Sequence, residues 1–373
     1  MNRNLKRLLT EMVNRDASDL FITVGAPPSI KVHGRLIQAG TVALDEHHVR
    51  AFLASVMPGH MAKEFEDSRE SNFAFAPPGM PRFRANAFFQ RNTPGMVIRQ
   101  IRSDIPTLTS LGLPEVMGDL ALAKRGIVFV VGATGSGKST SLASLIHQRN
   151  TQGSGHIITI EDPIEFLHRH HQCVVTQREV GVDTSSFEVA LENTLRQAPD
   201  CVVIGEIRSR EAMQQAITFA ETGHLCLATL HANTAAQAIE RVLHFFPNPE
   251  HDRVRLDLAN NLAGVLGQQL LPKASQPGLA LATEVLINTP LIAEKIRSNR
   301  LSEIRMQMTR GVNQGMHTFD QSLFWLYREG QIDYDAALGH AESPNDLRLQ
   351  IKLSQGNSGE HKSKLDQARV LES

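Results

Sequence analysis

Residues 132 to 139 read Gly-Ala-Thr-Gly-Ser-Gly-Lys-Ser, directly after the apolar run Gly126-Ile-Val-Phe-Val-Val131. Phosphate oxygens need several donors converging from one side. A glycine-rich turn between a buried strand and a helix start supplies them from its backbone N–H groups. Gly132, four residues, then Gly137, Lys138 and Ser139 is the spacing of a phosphate-binding loop. The bland alternative, a glycine-rich turn that merely looks like one, fits this strand-to-helix setting poorly. Gly132, Gly135 and Gly137 supply backbone freedom, and Ala133, Thr134, Ser136 and Thr140 complete the expected nucleotide-binding set. Lys138 is expected to neutralise the β- and γ-phosphates, and the Ser139 hydroxyl to take one position around Mg²⁺.

A strand feeding such a loop belongs to a parallel sheet, and the residues that follow agree. Gly155-His-Ile-Ile-Thr-Ile160, Cys201-Val-Val-Ile-Gly205 and Leu225-Cys-Leu-Ala-Thr-Leu230 are unalternated apolar runs separated by helical stretches. That pattern predicts an α/β fold with the sheet covered on both faces. Beyond Leu271 the spacing reads as helical, and Thr318-Phe-Asp-Gln321 fits a capping box ahead of Leu323-Phe-Trp-Leu-Tyr327. Upstream, Leu5, Leu8, Leu9, Met12 and Val13 recur at helical spacing. Short strand-like runs follow at 19–24 and 30–33, and a β pair at 82–90 and 96–101 is expected to turn at Asn92-Thr-Pro-Gly95. The expected organisation is a small α+β domain over 1–105, a linker over 106–117, a core carrying the phosphate loop over 118–270, a helical region over 271–353, and a disordered polar tail over 354–373.

With 373 residues, 41% hydrophobic and 21% charged, the chain can bury two sizeable cores. A net charge of −1 gives no global reason to bind nucleic acid, so no nucleic-acid partner is expected. Three widely spaced cysteines suggest neither a disulfide framework nor a zinc site, which suits a reducing compartment. No apolar run approaches the roughly 18 residues of a spanning helix, and the first residues lack a signal-peptide pattern. The expectation is a cytoplasmic protein.

A phosphate loop alone serves kinases, switches and motors alike; carboxylates separate them. Ile160-Glu-Asp-Pro-Ile-Glu165 places three acids just past a buried strand, where such sheets line their ligand crevice. Pro199-Asp-Cys-Val-Val-Ile-Gly-Glu206 runs an apolar strand into Glu206, the shape that delivers a carboxylate to Mg²⁺ or its water shell. Either could instead be a solvated loop. His231, after the fourth strand, is a candidate contact for the terminal phosphate, as is His224. With 16 histidines in the chain, each alone is weak. His168, His170, His171 and Cys173 resemble metal-ligand spacing, but no second cluster completes a site. Arg82, Arg84, Arg91 and Arg99 crowd the β pair of the first domain. They read either as a solvated strand face or as arginines that reach a neighbouring subunit's nucleotide. Arg208 and Arg210 are candidates for the same task.

Together these motifs resemble the secretion ATPase superfamily of type II secretion and type IV pili. Gly132 to Ser139 matches its Walker A loop, Ile160 to Glu165 its aspartate box, Leu195 to Arg208 its Walker B signature, and Thr222-Gly-His through Leu230-His-Ala232 its histidine box. The resemblance runs from Met1 to about Leu353. It points to the PilT/PilU retraction branch, and within it to PilU-type members. Ala17-Ser-Asp-Leu20, Gly25-Ala-Pro-Pro28, Gly132-Ala133, Arg196-Gln-Ala-Pro199 and Ala228-Thr-Leu-His-Ala-Asn233 carry this, and the paired cysteine motif of assembly ATPases is missing.

The resemblance implies a RecA-like P-loop ATPase domain with a smaller N-terminal PAS-like domain and C-terminal helices. It implies a hexamer binding ATP and Mg²⁺ at the cytoplasmic face of the inner membrane, working with a PilT-like ATPase and a pilus platform protein. Glu165 would position the attacking water, Glu206 the metal, and Arg82, Arg84 and Arg99 would be arginines acting on nucleotide. Two positions depart from the pattern. Ser209 stands where the signature has Asp, and Leu291-Ile-Ala-Glu-Lys-Ile-Arg297 replaces a motif needed for autonomous retraction, which suits an accessory motor. The rival readings are a pilus assembly or secretion motor, a nucleotide-dependent regulator of another motor, and a DNA translocase.

Overall fold

The protein is described from a computed structural model over residues 1–32 and 34–354, so the tail expected over 354–373 lies, past Ser354, outside the described residues. The chain forms two compact units. The first comprises 1–105 with 161–169 and 177–190; the second comprises 106–160, 170–176 and the chain from 191 onward.

In the first unit six antiparallel strands, β1 (Asp19–Thr23), β2 (Ser29–Val32), β3 (Arg35–Gln38), β4 (Glu70–Phe75), β5 (Phe83–Gln90) and β6 (Thr93–Gln100), lie in the order β3-β2-β1-β6-β5-β4. Phe83, Ala85 and Ala87 alternate inward along β5, the period-two signature of a half-buried strand. The helix Arg3–Asn14 lays Leu5, Leu8, Leu9 and Met12 on the same core, each contributing on the order of 1.5–3 kcal/mol. The β5–β6 turn is tighter than Asn92 to Gly95. Its two central residues are Arg91 and Asn92, both at positive φ (48° and 67°), and Pro94 and Gly95 belong to β6. A two-residue hairpin needs that left-handed pair to match the strands' twist.

A second sheet, most of it in the second unit, has the strands β7 (Gly126–Val131), β8 (Gly155–Glu161), β9 (Cys173–Glu179), β10 (Cys201–Ile204), β11 (Leu225–Leu230), β12 (Leu262–Pro272) and β13 (Leu279–Ile287), in the order β13-β12-β7-β11-β10-β8-β9. β7, β10 and β11 are buried along their whole length, which is why they read as unbroken apolar runs.

Two stretches differ from expectation. Residues 106–117 are no open linker: they carry the helix Leu108–Leu111, and Leu108, Leu113 and Met117 are buried with Val128, Val130 and Leu145. The region past Leu271 is not helical at first, because β13 pairs antiparallel with β12 and helices resume only at Pro290. Both strands are covered on both faces, so the alternation that marks a strand is missing. β12 also needs Gly264, where a Cβ would come within 2.8 Å of the Leu286 carbonyl oxygen. Farther on, Thr318 and Gln321 form the expected capping box of the helix Phe319–Arg328. Among the described residues no helix is long and apolar enough to cross a membrane.

Candidate nucleotide-binding site

Parallel pairing brings the chemistry to one edge. β7 and β11 run in register from Gly126 opposite Leu225 to Val131 opposite Leu230, and Ile204 of β10 lies opposite Ala228 of β11. The phosphate loop after Val131, Glu206 after β10 and His231 after β11 therefore emerge from the carboxyl ends of adjacent strands, where open α/β sheets bind ligands. His224 precedes β11 and sits at the opposite edge. Six residues of strand, roughly 20 Å, separate the two histidines, so the fold brings His231 and not His224 to the loop end of β11.

Backbone constraints shape the loop. Gly132 has φ +154°, and a Cβ there would fall on the Ser136 hydroxyl and within 2.5 Å of the Gln268 carbonyl oxygen. Gly135 (φ +80°) and Gly137 (φ +88°) take left-handed turns, and Gly137 opens the helix Lys138–Gln152, whose first N–H groups and dipole face the loop. Lys138 Nζ donates to the carbonyl oxygens of Gly132 (2.8 Å) and Ala133 (2.9 Å). Burial holds its pKa below the ordinary lysine value, and the charge of Glu206 works against that shift. Ala133, Thr134, Gly135 and Ser139 are exposed, Thr140 is half-buried and Ser136 is buried.

Glu206 is held from two sides. His231 Nε2 lies 3.0 Å from its Oε1, and the Arg208 guanidinium donates to Oε2 at 2.6 Å. The strand end behind it is fixed by the Thr229 hydroxyl on the Gly205 carbonyl (2.5 Å) and by the Gly205 N–H on the Ile160 carbonyl (2.8 Å). Ser209, at the departure from the family signature, caps the helix Arg210–Glu221 by accepting from the Ala212 N–H at 3.2 Å. Asp and Ser are both strong helix caps, so the local fold tolerates the exchange.

Glu161, Glu165 and the arginines Arg82, Arg84, Arg91 and Arg99 belong to the first unit. Glu165 is exposed between the buried Ile164 and Phe166, an arrangement that pins the backbone on both sides and directs the carboxylate outward. Glu161 accepts from Gln177 Nε2 at 3.1 Å. Arg99 donates to the buried Asp19 at 2.8 Å, while Arg84 lies opposite Arg99 across the β5–β6 pair and 4.0 Å from Glu179. Glu179 is almost fully buried; burial raises its pKa, and Arg84, the Ile164 N–H and Arg82 oppose the rise. His170 Nδ1 accepts from the Val175 N–H at 3.0 Å and His171 packs edge-on against His147, so both have structural neighbours in the second unit.

Residues without a sequence signal complete the site. Gln268, on β12 and 1% exposed, donates its side-chain amide to the Ser136 carbonyl at 2.7 Å and so clamps the middle of the loop. Beside the loop a cleft of about 330 Å³ is lined also by Asn233, Gln269 and His340, the last from the helix Tyr334–His340. The only hint was a pair of glutamines, Gln268-Gln269, inside an otherwise apolar run.

Fold and loop together define a P-loop ATPase of the secretion ATPase fold. The family model for "Type II/IV secretion system protein" matches residues 1–294, and the chain belongs to that family. It is 53% identical over 367 residues to the type IV pilus ATPase PilU of Pseudomonas aeruginosa, covering 98% of this chain and 96% of that protein. It is 39% identical over 344 residues to the type IV pilus retraction ATPase PilT of the same organism, covering 92% of this chain and all of that protein. Among solved structures, the pilus retraction motor PilT with bound ADP superposes with a TM-score of 0.86 at 38% identity, covering 92% of this chain and 98% of that one.

Proposed function

We propose that this protein is an ATP-hydrolysing motor for type IV pilus retraction, an accessory motor of the PilU type that works with a PilT-like ATPase. The observation that carries the reading is the 53% identity to PilU over almost the whole of both chains, joined to an intact loop, Glu206 and Glu165. ATP binds with its phosphates on the backbone N–H groups of 132–138, and Lys138 offsets their charge.

The donor set suits Mg²⁺. The Ser139 hydroxyl and the Glu206 carboxylate are hard oxygens, which this ion takes together with substrate phosphates and water. Ser139 would contact it directly and Glu206 through water, and the ion would stabilise charge on the transferred phosphoryl group. Glu165 positions the attacking water. His231, already on Glu206, registers the state of the terminal phosphate, and Arg82, Arg84 and Arg99 are the arginines offered to nucleotide in a homo-hexamer. The ring acts at the cytoplasmic side of the inner membrane on a pilus platform protein.

The Leu291–Arg297 departure supports the accessory role. In the helix Pro290–Arg297, Ile292, Ala293, Lys295 and Ile296 are buried and Lys295 pairs with Glu303 at 2.7 Å, while Leu291 and Arg297 stay exposed. The test is ATP turnover by the purified protein and its Lys138→Ala and Glu165→Gln variants. Turnover should be lost in both, with nucleotide still bound by Glu165→Gln. Full turnover in Lys138→Ala would overturn the reading.

A further inference from the structure

β12 and β13 do more than extend the sheet. Gln268 on β12 holds the phosphate loop, and Glu284, paired across from Gly267 on β13, reaches the other half of the site. Glu284 is 3% exposed, and its Oε1 accepts the Ala235 N–H at 2.6 Å. Ala235 is the first residue of the helix Ala235–His244, and only four residues, His231 to Thr234, separate that helix from the end of β11. The same carboxyl faces the start of the helix Phe319–Arg328, whose first backbone N–H, that of Phe319, favours its charged form. One buried acid therefore bonds the first N–H of one helix and faces the start of a second, where unpaired N–H groups and helix dipoles favour a negative charge.

The turn between β11 and the helix has little slack. Thr234 caps the helix by accepting from the Gln237 N–H (3.2 Å), and the Asn233 N–H donates to Gln237 Oε1 (3.2 Å). With the helix start tied to Glu284, His231 is carried to its 3.0 Å contact with Glu206.

We propose that Glu284 is a positioning residue for hydrolysis: it fixes the histidine-box turn that holds His231 on Glu206. This rests on the ATPase reading above and adds to it a residue remote from nucleotide. Charged and titratable groups around Glu284 are Glu342 and Arg305, which form an ion pair at 3.1 Å, Asp320 on the capped helix, and His317, which bridges to the neighbouring Val285. Burial, followed by the opposing pull of the Ala235 N–H, leaves Glu284 titrating at about 7. Its charge therefore changes across the range in which turnover is measured.

The experiment measures ATP turnover from pH 6 to 9, ADP affinity and melting temperature for the full chain and for Glu284→Gln, Glu284→Asp, His231→Ala, Lys138→Ala and the Glu284→Gln/His231→Ala double variant. Glu284→Gln offers the Ala235 N–H a neutral amide oxygen in place of a carboxylate. It should lower kcat by about tenfold, with ADP affinity within about twofold, and should lose the step near neutral pH. Glu284→Asp should lower kcat and keep a pH step. The double variant should be no slower than His231→Ala, because groups acting as one unit are not additive. Additive losses, an unchanged pH profile in Glu284→Gln, or unfolding of both Glu284 variants would overturn the proposal. Retained turnover in Lys138→Ala would instead overturn the ATPase reading.

Discussion

Gln268→Ala is the most direct probe of how the fold supports the loop. In the wild type the buried amide of Gln268 donates to the Ser136 carbonyl at 2.7 Å, and Ser136 itself is 6% exposed. Truncation removes a net hydrogen bond and strands a buried acceptor, together about 2 kcal/mol. Among the described contacts no other side chain of β12 bonds to the loop, so the loss should fall mainly on the loop's ability to hold its phosphate-binding shape. If all of it is expressed in binding, ADP affinity drops about 30-fold. The assay is titration calorimetry with ADP, alongside a thermal melt in the absence of nucleotide. Gln269→Ala is the control, since Gln269 lines the same cleft without a hydrogen bond to the loop among the described contacts. Affinity within twofold of wild type for Gln268→Ala, with only the melting temperature lowered, would refute the reasoning. It would show that the loop keeps its shape by itself and that Gln268 is only a core contact.

Further tests use the titrating groups. His317, buried against Thr283 and Trp325, is held by burial at about 4, below its ordinary value near 6.5. The unfolded chain binds a proton there between those values and the folded chain does not, so this stability is present above about pH 6.5 and is lost as pH falls toward 4. Denaturant titrations should show the wild type gaining about 3 kcal/mol over His317→Asn between pH 4 and 6.5; a constant difference would contradict this. Burial pushes the Cys201 thiol up to about 12 and raises Cys226 further, so neither should react with a thiol reagent in the native protein at pH 8. Labelling of either at a rate comparable to the unfolded chain would show that β10 and β11 open readily.

The legibility of this protein in its sequence follows the range of each contact. Gly132 to Ser139 could be read directly because the donors of a phosphate loop are consecutive backbone groups, and β7, β10 and β11 because strands buried on both faces are contiguous apolar runs. The capping box at Thr318 and Gln321 was equally local. The turn at Arg91-Asn92 was missed because Pro94 and Gly95 are the stronger turn formers in isolation, and the strand twist overruled them. β13 was missed because a doubly covered strand has no alternation. His224 and His231 are indistinguishable as residues; the direction of β11 put one on each edge of the sheet.

By itself the sequence determined that the chain holds nucleotide phosphates, that a parallel sheet carries the loop, and that Glu206 ends another strand of the same sheet. Only the tertiary structure decided what holds those groups still. Gln268 reaches Ser136 across 132 residues, and Glu284 reaches Ala235 across 49. A hydrogen bond between groups so far apart leaves no pattern of spacing or period behind. It exists because β12 and β13 fold back beside β7, and burial there makes each unpaired polar group costly enough that the two side chains and the two backbone groups find one another.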